Sequence, residues 1–170
     1  MGETTTVTRE QVLAAIGRER QAWDDLIAAV GEARMLEPGA MGDWCFKDLA
    51  AHIAAWDVYT LDRLEAEAAG QPEPAAAWPD DVTEDDDVNA WLKSANDDKS
   101  LPETLAWPRE TFDRLDRLVN SVSDAEINDP GRFAELDGKA LGAAIVSGDY
   151  FSHLHVDHEP DIQRMLARSS

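Results

Sequence analysis

The chain has 170 residues with 35 Asp and Glu against 15 Lys and Arg, a formal net charge of -20. That length supports one packed core and a single domain over 1–170, and a surface so acidic repels nucleic-acid backbones and anionic lipid. One cysteine, Cys45, excludes an internal disulfide, and no run approaches the roughly 18 apolar residues of a membrane span. The opening stretch has no apolar region of the secretory kind, so a reducing cytoplasm is the expected location.

The segment 8–30 predicts a helix. Thr8 and Gln11 form a capping box, Val12, Ile16, Trp23, Ile27 and Val30 share one face, and Gly31 suits the C-terminal cap. Residues 34–43, with Pro38, Gly39 and Gly42, read as a loop. The segment 44–69 predicts a second helix whose stripe is Leu49, Ile53, Trp56, Thr60 and Leu64, with His52 beside it, and Gly70 as its end. Residues 71–87 carry Pro72, Pro74 and Pro79 and then an acidic run, Asp80 to Asp87. This is a crossing loop expected to be mobile, and the run lacks the alternation of a calcium loop. A short helix is expected over 88–92.

The segment 100–122 predicts a third long helix, capped by Ser100 and Glu103, with a kink or late start at Pro108. Polar turns fill 123–138. The segment 139–168 predicts the fourth helix, with the stripe Leu141, Ile145, Gly148, Phe151, His155, His158, Ile162 and Met165 and a kink at Pro160. No strand-like alternation and no repeat is evident. The fold class is therefore all-α: a four-helix bundle with a long crossover between its second and third helices.

The chain has four histidines. His155 and His158 stand three apart and interrupt the stripe of one predicted helix, while His52 interrupts that of another. Side chains on facing helices build metal sites in bundles, and three neutral imidazoles leave an open position on Zn²⁺, Ni²⁺ or Fe²⁺ for water or a thiol. The alternative for each is a packed, hydrogen-bonded histidine. His153 and Asp157, four apart, form a second candidate metal pair or a solvent-facing one. Cys45 lies at a helix start, which favours its thiolate, but no paired base accompanies it, and it reads as a small residue at the helix entry. Trp23 and Trp56 fall on inward faces, and Trp78 and Trp91 lie where they could line a pocket mouth or simply pack. No glycine-rich phosphate loop, nucleophile elbow or paired-cysteine zinc motif is present.

The stretch Trp44-Cys45-Phe46-Lys47-Asp48-Leu49-Ala50-Ala51-His52-Ile53-Ala54-Ala55-Trp56-Asp57 resembles the second-helix signature of the DinB/YfiT-like superfamily, W-S-x-K-D-x-x-A-H-x-x-x-W-[DE]. Residues 87–91 with 99–101 resemble the entry to that family's third helix, and 148–162 its fourth. The likeness is closest to the small single-domain ClbS/DfsB-type branch and extends to the N-terminal domain of mycothiol-dependent maleylpyruvate isomerase. It implies a four-helix bundle, often a homodimer, around a divalent metal, with thiol-dependent transferases among the members and self-resistance proteins among the relatives. His52 and His158 match two ligands of the motif. The third is expected four residues before His158, where this chain has Leu154, so either His155 substitutes or the site is degraded.

Two functional expectations follow. In one, a divalent metal on His52, His155 and His158 activates a low-molecular-weight thiol or water for transfer to an electrophilic small molecule, as in a transferase or hydrolase, with His52 and His158 at the reacting centre. In the other, a metal-free bundle binds, sequesters or confers resistance to such a ligand, with His52 or His158 available as a general base. A dimeric interaction module is a third reading.

Overall fold

A computed structural model describes residues 6–168. Helix α1 spans Arg9–Val30, with the Thr8–Gln11 capping box formed and Gly31 ending it at φ 73. The expected loop after it contains a small hairpin instead: β1, Pro38–Met41, pairs antiparallel with β2, Trp44–Cys45. Two short, irregularly paired strands leave too few residues for alternation to register in the sequence. Helix α2 covers Phe46–Ala68, and Asp48 closes its N-terminus by accepting from the Cys45 backbone N–H at 3.1 Å.

The crossover runs to Glu84. The acids Asp85 to Asp87, expected in a loop, form the first turn of α3, Asp85–Asn96. Carboxylates there meet the free N–H groups and positive end of the helix, which explains why an acidic run folds as a helix start. Helix α4, Leu101–Ser121, has the Ser100–Glu103 capping box and runs without a break through Pro108, contrary to the expected late start. A short α5, Asp124–Ile127, follows.

The expected fourth helix is broken. It comprises α6, Leu141–Ser147, a 3₁₀ turn at Asp149–Phe151, a π-helical turn at His153–His158, and α7, Glu159–Ala167. Gly148 supplies the first break at φ 87, a backbone that side-chain-bearing residues rarely adopt. Pro160 supplies the second. It cannot donate to the turn before it, and in an α-helix its ring presses on the carbonyl four residues back, so widening that turn relieves the clash.

Helices α1, α2 and α4 pack with α6 and α7 around one core that includes Trp23, Phe46, Leu64, Leu115, Phe133 and Ile145. Trp23 stacks on Phe46 with ring centroids 5.7 Å apart. Each such side chain, fully withdrawn from water, contributes about 1.5–3 kcal/mol. A second cluster fixes the crossover: Ala55, Val88 and Leu92 are covered by Trp56, Trp78, Trp91 and Trp107. Trp78 stacks on Tyr59 at 4.9 Å and lies 5.2 Å from Trp56, so the tryptophans read as pocket-mouth candidates clamp the crossover and α3 against α2. Among the described residues no helix is long and apolar enough to cross a membrane.

Candidate metal centre

Helix α2 carries His52 on its buried face, where Trp44 packs edge-on at 5.7 Å. The π turn carries His153 and His158. A π turn closes hydrogen bonds five residues apart, so residues five apart lie one above the other. The three imidazoles converge: the Nε2 atoms of His52 and His153 are 3.0 Å apart, those of His52 and His158 3.2 Å, and those of His153 and His158 3.1 Å.

This triangle is chemically incomplete by itself. An Nε2 that bears hydrogen cannot accept, and one that lacks it cannot donate, so three such atoms cannot satisfy all three contacts. At least one pair sets lone pair against lone pair or hydrogen against hydrogen. A cation at the centre removes the conflict. Nitrogens about 2.0–2.1 Å from a tetrahedral zinc stand roughly 3.3 Å from one another, close to the observed spacing. The protonation states agree. Burial, then the neighbouring His153 and His158, pushes His52 down to about 3. Burial and His158 push His153 down to about 4, against the opposing charge of Asp157. Burial lowers His158 too, again opposed by Asp157. All three are thus held as the neutral, lone-pair-bearing form that ligates metal at neutral pH. The donor set fits a divalent cation with at least one open position. The Nδ1 atoms of His52 and His158 are buried without a partner among the described residues, so no carboxylate or carbonyl there fixes their tautomers.

The structure brings together two of the three histidines expected to converge and exchanges the third. His155 points away. Its Nε2 lies 2.6 Å from Glu19 Oε2 and its Nδ1 2.7 Å from Glu159 Oε2. Burial opposes its charge, but the two carboxylates outweigh burial and its pKa is raised. A doubly protonated ring has no lone pair to offer a metal, and His155 ties the π turn to α1 instead. The reason for the exchange is the π turn: one extra residue per turn moves the position facing His158 from Leu154 back to His153. His153 was expected to pair with Asp157. It faces the other two histidines, while Asp157 lines the adjoining cavity outside the triangle.

That cavity has a volume of about 570 Å³ and opens on all three histidines. Trp56, held by its Nε1–H donating to Asn89 Oδ1 at 3.0 Å, forms part of its wall. Two further wall residues, Asp57 and Tyr150, escaped the sequence reading. Burial pushes the Asp57 carboxyl up to about 7. The Tyr150 hydroxyl is buried without a partner among the described residues, and burial, then the nearby Asp57, raises its pKa well above the ordinary phenol value. The signal for Asp57 was its place after Trp56 in the quoted signature. Tyr150 falls in the stretch 148–162 that resembles the family's fourth helix, with no role attached to it there. Cys45 carries no nucleophile signature: burial raises its thiol pKa, and its Sγ lies 3.2 Å from Asp48 Oδ2.

A family model described as the DinB superfamily matches residues 19–157. No curated protein and no solved structure matches the chain. The matched span runs from within α1 through nearly all of the π turn and holds both His52 and His153, so most of the bundle, all but α7 and the start of α1, and two of the three histidines lie inside it: the chain belongs to the DinB superfamily.

Proposed function

We propose that the protein is a metal-dependent enzyme acting on a small molecule, with a divalent cation, Zn²⁺, Ni²⁺ or Fe²⁺, held by His52, His153 and His158. The observation that carries this reading is the convergence of three neutral Nε2 atoms, 3.0–3.2 Å apart, on the wall of a cavity of about 570 Å³. A cation there supplies Lewis acidity, which favours ionisation of a thiol or water in its open position. The chain's part is to hold the imidazoles neutral, to seat an electrophilic substrate in the cavity and to limit water through Trp56 and Tyr150. Transfer of a low-molecular-weight thiol and hydrolysis both fit that chemistry. The metal-free alternative draws on Leu154 at a ligand position and on the tryptophans; the π turn, which presents His153 in place of Leu154, favours the metal-bound reading.

Metal analysis of untagged protein by mass spectrometry, wild type beside His52→Ala, tests the reading. Near-stoichiometric divalent metal in the wild type and its loss in the variant is expected. Wild-type protein that takes up no divalent metal, even after incubation with zinc, nickel or ferrous salts, overturns it.

A further inference from the structure

The charged groups lining the histidine cavity, apart from the histidines, are all acidic: Asp57, Asp85, Asp149 and Asp157, with no Lys or Arg among the described lining residues. Asp149 is already paired with Lys139 at 2.9 Å. Asp57 is the unusual member. It is half-buried, and no cation among the described residues pairs with it. Its Oδ2 accepts from Thr111 Oγ1 at 3.3 Å, but that hydroxyl lies closer to the Pro108 carbonyl, 2.8 Å away, and has a single proton to give. Beside it the Tyr150 hydroxyl is buried with no hydrogen-bond partner among the described residues. Natural cores rarely leave a buried hydroxyl unmatched. That hydroxyl and a carboxylate without a cation, on one cavity wall, mark a place where a ligand completes the pairing.

We propose that the cavity wall formed by Asp57, Tyr150 and Trp56 binds a cationic amine of the substrate. An ammonium group supplies the counter-charge Asp57 lacks and donates to the Tyr150 oxygen, and an indole in the same wall provides a surface on which cations are stabilised. A carboxylate or phosphate in the same place meets only like charge and leaves Asp57 unpaired. The proposal rests on this cavity being the substrate site, and it narrows the substrate class to amine-bearing molecules: the amine anchors on Asp57 while the reacting atoms face the histidines.

The test uses three ring-matched probes, phenethylamine, 2-phenylethanol and 3-phenylpropionate, titrated by calorimetry into the metal-free protein. It is run at about pH 8, where the amine and Asp57 are both charged. Phenethylamine is expected to bind at least roughly tenfold tighter than 3-phenylpropionate, with the alcohol between them, and Asp57→Asn is expected to erase the order. Tyr150→Phe should weaken the amine while leaving the order intact. Equal or reversed affinities in the wild type, a preference that survives Asp57→Asn, or no phenethylamine binding overturns the proposal. Metal content measured on the same wild-type preparations before metal removal separates the two readings. Bound metal without amine preference overturns this proposal alone, and amine preference in a protein that never takes up metal overturns the metal centre alone.

Discussion

His153 and His158 face each other with their Nε2 atoms 3.1 Å apart, although five residues separate them. In an α-helix residues at that spacing are turned well away from each other, and the π turn over His153–His158 is what aligns them. The local backbone therefore decides which histidine joins His52. His153→Ala is expected to abolish stable metal binding, since removing a direct ligand costs more than the roughly 10–100-fold typical of an outer-shell partner. His155→Ala is expected to leave metal stoichiometry unchanged and to lower stability only through its lost carboxylate contacts. Metal analysis and thermal unfolding of the two variants, side by side, check this; metal loss in His155→Ala but not in His153→Ala would reverse the assignment.

A π turn equals an α-helical turn with one added residue, so deleting one exposed residue within it should restore α-helical spacing between the flanking positions, at the cost of the Pro160 clash that the wider turn relieves. Val156 is 68% exposed and suits the deletion. The two flanking histidines would then stand four apart, on one face of a regular helix, and still meet His52. The deletion variant is expected to retain its metal, with helical content by circular dichroism equal to or above that of the wild type. Loss of the metal in a folded deletion variant would show that the wider turn itself shapes the site.

The long helices α1, α2 and α4 were legible because their signals are local and repeated: capping boxes at Thr8 and Ser100, apolar residues at helical spacing, and Gly31 and Gly70 at the ends. The fourth helix was legible only in part: the interruption at Pro160 is expected from the sequence, the break at Gly148 is not. Its apolar stripe continues through Gly148 and Pro160, so a single uninterrupted phase was carried across two breaks, and that phase put His155 where the chain puts His153. Periodicity reports which residues are apolar; it does not count the residues in each turn. Asp57 and Tyr150 were missed for a different reason. Their significance lies in what does not surround them, and an unpaired carboxyl or an unmatched hydroxyl is visible only once the neighbours are in place.

Gly142 marks how tightly α6 enters the core. A Cβ built there would lie 2.5 Å from Val7 Cγ2 and 2.6 Å from Ile127 Cγ2, with the Ile127 carbonyl oxygen at 3.2 Å. The methyl groups belong to buried, β-branched side chains with little freedom to turn aside. Gly142→Ala raises helix propensity, which favours the variant by about 1 kcal/mol, but overpacking of this kind costs typically 1–3 kcal/mol. A net loss of stability is expected, read as a lower urea midpoint with an unchanged slope. A rise in the midpoint would show that α6 has room to shift outward.

Asp57 makes stability depend on pH in a direction opposite to that of a salt-bridged carboxylate. Its pKa rises from 3.8 to about 7 on folding, chiefly through burial. Between those values the folded protein keeps a proton that the unfolded chain releases, so the folded state binds more protons and stability falls as pH rises. The loss begins near the unfolded value and levels off once the pH passes the folded value. Its upper bound is ~4 kcal/mol at 1.36 kcal/mol for each pH unit between the two values. Other groups titrate over the same range, so the informative quantity is the difference between the wild type and Asp57→Asn, whose amide carries no charge at any pH. That difference should move in favour of the variant between about pH 4.5 and pH 8, when both proteins are unfolded in urea. A difference that stays flat across the interval would mean that the Asp57 carboxylate is solvated in the cavity, and it would remove the unpaired charge on which amine recognition depends.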